Sequence, residues 1–152
     1  MKKIGFICTG NSCRSPMAEC YFKSIIAENL KTSVFSAGTS CAPGWNASQE
    51  AIEIMDRFNL DLRSHKSTPL SNEIVENTDM LIVMTNMHKE VIVNRWPEAS
   101  KKVYLLREFE ENSNINDQEI MDPVGFPVEI YEKCFDLMKK PLEHLGEIIC
   151  QK

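Results

Sequence analysis

The sequence lacks long apolar runs and lacks an excess of positive charge, and both absences narrow the possible functions. No apolar stretch approaches the roughly 20 consecutive residues that a membrane-spanning helix needs. The 17 lysines and arginines are outnumbered by 22 aspartates and glutamates, which gives a net charge of −5. This balance argues against a nucleic-acid partner and against binding to an anionic membrane surface.

Histidine is scarce, and the chain contains no Cys-x-x-Cys pair. The three histidines are far apart in the sequence, so we expect no metal site and no cofactor. Six cysteines would suffice for a disulfide framework, but 152 residues with 43% apolar content can form an ordinary core. The apolar run after Met1-Lys2-Lys3 is too short for a signal peptide. We therefore expect reduced thiols and a cytoplasmic location.

Strand and helix patterns alternate along the chain, without repeats, low-complexity tracts or linkers. This alternation predicts an α/β fold, with one domain over residues 1–152 and a parallel sheet covered by helices on both faces. The predicted strands are Lys3–Cys8, Ser33–Ala37, Met80–Met84 and Lys102–Leu106. The predicted helices are Ser15 to about Asn29, Asn46 to about Phe58, Ser71–Glu76, Met87–Arg95 and a long one from Pro127 onward, while Arg107–Met121 is predicted to be a surface loop.

The segment Cys8–Ser15, with the sequence Cys-Thr-Gly-Asn-Ser-Cys-Arg-Ser, lies between the first strand and the first helix. Backbone N–H groups that converge before a helix N-terminus form an anion site. The positive electrostatic potential of these N–H groups also stabilises a thiolate over a thiol. Arg14 adds a planar set of donors that matches a tetrahedral oxyanion. The segment therefore predicts phosphoryl chemistry at a phosphate-binding loop.

Each residue of this loop has an expected role. Cys8 is the candidate nucleophile, and the N–H groups from Thr9 to Cys13 are expected to hold the equatorial phosphoryl oxygens together with Arg14. Gly10 is expected to permit the tight turn, and Asn11 to adopt a left-handed backbone. Ser15 is a good helix N-cap, and its hydroxyl can also donate to the sulfur of the nucleophile.

These residues resemble the low-molecular-weight protein tyrosine phosphatase family, whose loop consists of Cys, five residues, Arg and Ser. Ser36-Ala37-Gly38 falls at the end of the family's second strand, and Asp122-Pro123 falls where the family has its acid. The resemblance extends over nearly the whole chain. It implies a single domain with a four-stranded parallel sheet, and hydrolysis of phosphomonoesters through a phosphocysteine intermediate. The expected partners are phosphorylated proteins, and the expected state is a monomer.

The resemblance also assigns residues that the pattern alone identifies only weakly. It makes Asp122 the general acid, although an isolated Asp-Pro is common in turns. It gives Ser36 and His65 supporting positions behind the loop, with the histidine linked to Asn and Ser side chains. From the residues alone, His65 reads as a structural histidine and His88 as a surface residue. The resemblance further implies that Cys8 and Cys13 form a reversible disulfide on oxidation.

Two departures from the phosphotyrosine-specific pattern concern the substrate. Val124-Gly125 follow Asp122-Pro123 where that branch has aromatic residues, and Ser12 replaces a bulky aliphatic. The small hydroxyl residue Ser12 and the glycine Gly125 resemble the residues that bacterial protein-arginine phosphatases have at these two points. A hydroxyl can bond a guanidinium and Asp122 can pair with its charge, so the sequence favours phosphoarginine. Phosphotyrosine remains the alternative.

Other function classes fit the sequence less well. Thioredoxin-coupled arsenate reductases have almost the same loop, but they need two further cysteines after the third strand. The segment Thr85–Lys133 contains no cysteine. A phosphate-binding or redox-sensing module without enzymatic activity is disfavoured, because nucleophile, arginine and acid are all present.

Overall fold

Four strands form one parallel sheet in this computed structural model, which describes residues 1–26, 28, 31–111 and 117–151. The strand order is β2-β1-β3-β4. The strands are β1 (Lys2–Cys8), β2 (Thr32–Gly38), β3 (Met80–Val83) and β4 (Val103–Leu105). The inner strands β1 and β3 are almost continuously apolar, as a parallel sheet buried on both faces requires.

Within the described residues, five α-helices cover the two faces of the sheet. They are α1 (Arg14–Ile25), α2 (Gln49–Asp56), α3 (Asn72–Glu76), α4 (Asn86–Arg95) and α5 (Val128–Cys150), with 3₁₀ turns at Pro97–Lys102 and Leu106–Phe109. One core packs the sheet against α1, α2 and α5, and a second core packs the other face against α3 and α4. The predicted four-stranded α/β architecture is confirmed. None of the helices in the described part of the chain is long and apolar enough to cross a bilayer.

The boundaries differ from the predictions at a few points. The first helix ends at Ile25, before its predicted end near Asn29, because Ile26 is already extended. Asn29 itself lies outside the described residues, as does part of the predicted surface loop, residues 112–116. The cap of α2 is Ser48, whose hydroxyl accepts from the Ala51 N–H. The predicted cap Asn46 is wrong, because its side chain accepts a hydrogen bond from Lys66 instead.

The carboxyl ends of β1 and β2 meet at one edge of the sheet, where ligands of parallel sheets bind. Cys8 is the last residue of β1, and its register partner is Gly38 at the end of β2. A Cβ at Gly38 would lie 2.6 Å from the Thr9 carbonyl oxygen and 2.7 Å from Cys41 Sγ. A glycine at this point therefore lets the loop after β1 pack directly against β2.

Candidate active site

The loop between β1 and α1 is held from outside by hydrogen bonds to its carbonyl groups. The carbonyl oxygens of Cys8, Thr9, Asn11 and Ser12 accept from Thr39 N, Ser40 N, His65 Nε2 and Ser48 N, at 2.9, 3.0, 2.7 and 2.8 Å. In a trans peptide the C=O and the following N–H point in opposite directions. The N–H groups that follow these four carbonyls therefore face the inside of the loop, where they can bind an anion.

Cys8 is almost fully buried, and its sulfur contacts a hydroxyl of α1. The distance from Cys8 Sγ to Ser15 Oγ is 2.9 Å. Asn11 Nδ2 donates to Ser15 Oγ at 2.8 Å and to Ser36 Oγ at 2.9 Å, while its Oδ1 accepts from Thr68 N at 2.9 Å. Because Ser15 already accepts from Asn11, its own proton can point at the sulfur, where it would stabilise a thiolate.

Arg14 is 3% exposed and connects the loop to the segment that carries the candidate acid. Its Nη1 donates to the Ile120 carbonyl at 2.9 Å, and its Nη2 lies 3.6 Å from Asp122 Oδ2. The Asp122 side chain is 53% exposed, so it can meet a substrate at the mouth of the loop. The structure thus brings together Arg14 and Asp122, which are 108 positions apart in the sequence.

A tight turn follows the candidate acid. The Phe126 N–H donates to the Pro123 carbonyl at 3.0 Å, and Gly125 has a φ of 82°. This is the pattern of a type II turn with glycine at its third position. The Val124 N–H donates to Asp122 Oδ1 at 3.1 Å, so the turn also fixes the carboxylate.

One expectation for the loop residues is wrong. Ser15 does not cap α1; the cap position is Cys13, and the Ser15 hydroxyl is occupied by Asn11 and Cys8. At Gly10 the backbone is not left-handed, and a Cβ would meet only Ser12 Oγ at 3.6 Å, so its expected part in the turn stays a prediction. The left-handed residue of the loop is Asn11, with a φ of 51°, as predicted.

Two histidines contact the loop, and one was missed by the sequence interpretation. The resemblance implied that His65 contacts Asn and Ser side chains. In the structure, His65 instead bonds the backbone carbonyl of Asn11. His88 is 1% exposed, so its expected surface position is wrong. Its Nε2 lies 2.8 Å from Thr9 Oγ1, and its Nδ1 lies 3.1 Å from Thr85 Oγ1.

His88 is therefore part of the wall of the phosphate-binding loop. Burial lowers its pKa to about 4, and the positive charge of Arg14 adds to this effect. Its imidazole is consequently neutral near pH 7. The sequence signal was the N-cap Thr85 three residues earlier, whose hydroxyl bonds both the His88 N–H and the imidazole. Helical context alone did not reveal which way the ring faces.

The model of the family described as "Low molecular weight phosphotyrosine protein phosphatase" matches residues 3–152. The chain belongs to this family. It is thus a cysteine phosphatase of the low molecular weight class, and a hydrolase.

The relatives of this low molecular weight phosphatase include both arginine phosphatases and tyrosine phosphatases, as three similar proteins show. A protein-arginine-phosphatase of Bacillus subtilis is 37% identical over 145 residues, covering 95% of this chain and 94% of its own. A structure of the arginine phosphatase YwlE, with a phosphorylated serine in place of its active-site cysteine, has a TM-score of 0.90, 34% identity and coverage of 99% and 97%. A low molecular weight protein tyrosine phosphatase of T. tengcongensis has a TM-score of 0.85, 30% identity and coverage of 97% and 99%.

Cys13, the second cysteine of the low molecular weight phosphatase loop, contacts hydroxyl groups from outside the loop. Cys13 Sγ lies 3.3 Å from Tyr131 Oη and 3.5 Å from Ser48 Oγ. The Cys8–Cys13 disulfide therefore remains a prediction. Ser12 Oγ lies 3.5 Å from Cys13 Sγ, and Ser12 is partly exposed at the loop.

Proposed function

We propose that this phosphatase hydrolyses phosphorylated protein residues through a phosphocysteine on Cys8, with phosphoarginine as its preferred substrate. The observation that carries the proposal is the convergence of four groups at one edge of the sheet. These groups are the Cys8 sulfur, the inward N–H groups, the Arg14 guanidinium and the Asp122 carboxylate.

In the first step, the Cys8 sulfur attacks phosphorus in line with the leaving group, and the bond from phosphorus to the leaving nitrogen or oxygen breaks. The inward N–H groups and Arg14 hold the three equatorial oxygens, where charge spreads in the transition state. Asp122 in its acid form protonates the leaving group. The Ser15 hydroxyl bonds the sulfur before attack.

In the second step, Asp122 has become a carboxylate and takes a proton from water as that water attacks phosphorus. The sulfur–phosphorus bond breaks, inorganic phosphate forms and the thiolate returns. The hydroxyl of Ser15 stabilises this leaving thiolate, because a hydrogen bond to a charged sulfur is stronger than one to a neutral sulfur.

The preference for phosphoarginine has two supports. Ser12 supplies a polar, partly exposed loop position, and Asp122 supplies a half-exposed carboxyl group, whose oxygens accept hydrogen bonds, beside Arg14. Both groups can bond a guanidinium, whereas an aliphatic side chain at position 12 could not. The similarity to a protein-arginine-phosphatase over 95% of the chain supports the same preference.

The test compares kcat/KM on phosphoarginine and phosphotyrosine peptides of matched sequence. We expect phosphoarginine to be preferred by about tenfold or more, which corresponds to about 1.4 kcal/mol. A preference for phosphotyrosine would contradict the substrate assignment and leave the family assignment intact. In parallel, Cys8→Ser should lose turnover while still binding vanadate, and Cys20→Ser serves as the thiol control. Substantial turnover by Cys8→Ser would contradict the nucleophile assignment.

We further infer that residues 1–152 form one catalytic domain that acts as a cytoplasmic monomer, without nucleic-acid or membrane partners. All six cysteines lie in the described part of the chain as free thiols, as is common in a reducing compartment. The net charge of −5 opposes binding to polyanions. Light scattering after size exclusion tests the monomer, with an expected mass of 17.4 kDa.

A further inference from the structure

A carboxylate behind the phosphate-binding loop has no part in the proposed mechanism. Glu19 lies on α1, and its side chain is only 18% exposed. Its Oε2 accepts a hydrogen bond from Ser36 Oγ at 2.6 Å, and its Oε1 pairs with Lys23 one turn later. The carboxylate is therefore held in place on both sides.

The bond to Glu19 fixes the direction of a chain of hydrogen bonds. A carboxylate only accepts, so Ser36 must donate its single proton to Glu19. Ser36 Oγ can then only accept from Asn11 Nδ2, which also donates to Ser15 Oγ.

The orientation of the central amide is settled independently. The backbone N–H of Thr68 donates to Asn11 Oδ1, so the Nδ2 group must face the two hydroxyls. Ser15 accepts from this group and has its proton left for Cys8 Sγ. The donors therefore run in two directions from Asn11: toward the sulfur through Ser15, and toward Glu19 through Ser36.

We propose that Glu19 is a positioning residue for the nucleophile, acting through Ser36 and Asn11. By holding the Ser36 hydroxyl as a donor, it leaves the Ser36 oxygen free only to accept from Asn11 Nδ2, and this second bond holds the amide at the position from which it orients the Ser15 proton toward the sulfur. The inference rests on the proposed role of Cys8 as nucleophile. It concerns how readily the thiolate forms, whichever phosphorylated residue is the substrate.

This role can be separated from the effect of charge because the two have opposite signs. Through space, a carboxylate disfavours a nearby thiolate. Through the hydrogen-bond chain, Glu19 favours the thiolate. Glu19→Gln removes the charge but keeps an oxygen that accepts from Ser36, whereas Glu19→Ala removes the acceptor.

Glu19 can be altered without touching the mouth of the loop. It lines a cleft of about 380 Å³ on the side where Ser36, His65 and Thr68 support Asn11. The other titratable and charged groups of this cleft are Cys20, Lys23, Asp61, His65 and Lys66. Lys23→Met, which removes the second partner of Glu19 and keeps the bond to Ser36, is the matched control.

The experiment measures the rate of alkylation of the Cys8 peptide by iodoacetamide across pH, by mass spectrometry, in the full-length protein. We expect Glu19→Ala to move the midpoint of the profile to higher pH and to slow alkylation at its acid end about three- to tenfold. Glu19→Gln and Lys23→Met should stay within about twofold of wild type. Ser36→Ala should match Glu19→Ala, and the double variant should show no further loss.

Three outcomes would overturn the inference. Cys8 of Glu19→Ala could be alkylated at the wild-type rate, it could be alkylated faster than wild type, or the losses in alkylation rate could be additive in the double variant. Near-ultraviolet circular dichroism and vanadate binding report whether each variant is folded. If Glu19→Ala does not fold, the inference is overturned equally by a folded Ser36→Ala variant whose Cys8 is alkylated at the wild-type rate. Turnover by Cys8→Ser, in contrast, would contradict the proposed function, so the two failures are distinguishable.

Discussion

At the scale of single residues, Ser12 offers the clearest control over substrate choice. Its backbone carbonyl is held by Ser48 N, so its side chain can change while the loop keeps its shape. Ser12→Ile should lower the ratio of phosphoarginine to phosphotyrosine activity by about 1–3 kcal/mol, because a polar contact is replaced by an apolar one. Paired kcat/KM measurements check this.

The matched control at the same position is Ser12→Thr, which keeps the hydroxyl and should change the ratio little. If Ser12→Ile left the ratio unchanged, the side chain at this position would not recognise the guanidinium. The preference for phosphoarginine would then need another explanation.

Asp122 is expected to matter in proportion to how poor the leaving group is. Asp122→Asn should lower kcat about 10²- to 10⁴-fold on peptide or alkyl phosphates, whose leaving groups need a proton. The loss should be much smaller on p-nitrophenyl phosphate, because nitrophenolate leaves without one. Steady-state kinetics on both substrates measure the difference.

Asp117→Asn, on the same segment but paired with Arg107, is the control for disturbance of the segment. Equal losses on good and poor leaving groups would indicate that Asp122 has a structural role.

At the scale of elements, the end of β2 and the phosphate-binding loop are built against each other. Gly38→Ala places a Cβ 2.6 Å from the Thr9 carbonyl and 3.2 Å from Asn11 Cβ. We expect a loss of about 1–3 kcal/mol in the free energy of unfolding, together with reduced activity, because the loop must move away from the strand. Urea unfolding and kcat/KM measure both.

Gly146→Ala in α5 is the matched control, since its Cβ would have ordinary contacts at 3.8 Å. It should be neutral or slightly stabilising, because alanine favours a helix interior over glycine. Wild-type stability of Gly38→Ala would show that the strand and the loop can separate freely.

Elements defined by local patterns were predictable from the sequence. The apolar runs of β1 and β3, and the loop motif from Cys8 to Ser15, depend on neighbouring residues and were found with nearly their observed bounds. The cap of α2 was not, because Asn46 and Ser48 are both good cap residues, and Lys66, distant in sequence, occupies Asn46.

The supports of the site were harder to predict for the same reason. Ser40 and His65 act on the loop through backbone carbonyls, and such partners have no characteristic spacing. The burial of His88 depends on how α4 packs beside the loop, which helix periodicity does not report.

At the scale of the whole molecule, the buried His88 links stability to pH. Its pKa is lowered to about 4 in the folded state, whereas a histidine in the unfolded chain has a pKa near 6.5. Between these values the unfolded state binds more protons. Stability therefore falls as pH decreases from about 6.5 to about 4.

His88→Asn should reduce this pH dependence by about 2 kcal/mol over the same interval. Urea unfolding at pH 7 and pH 4.5 measures this dependence. The carboxylates titrate in wild type and in His88→Asn alike, so their contribution cancels when the two proteins are compared. Thr9→Val, which removes a partner of the imidazole and keeps the titrating group, is the control and should retain most of the dependence. An identical pH dependence in His88→Asn would show that His88 does not titrate in this way.

The outward carbonyls of the phosphate-binding loop have a consequence for protein engineering. The donors that orient them come from segments around Thr39, Ser48 and His65, far from the loop in sequence. Transplanting Cys8–Ser15 between the strand and helix of another parallel sheet would carry over the thiol and the guanidinium without these donors. Such a graft should bind phosphate poorly, and it should gain affinity only when all three segments are transplanted with it.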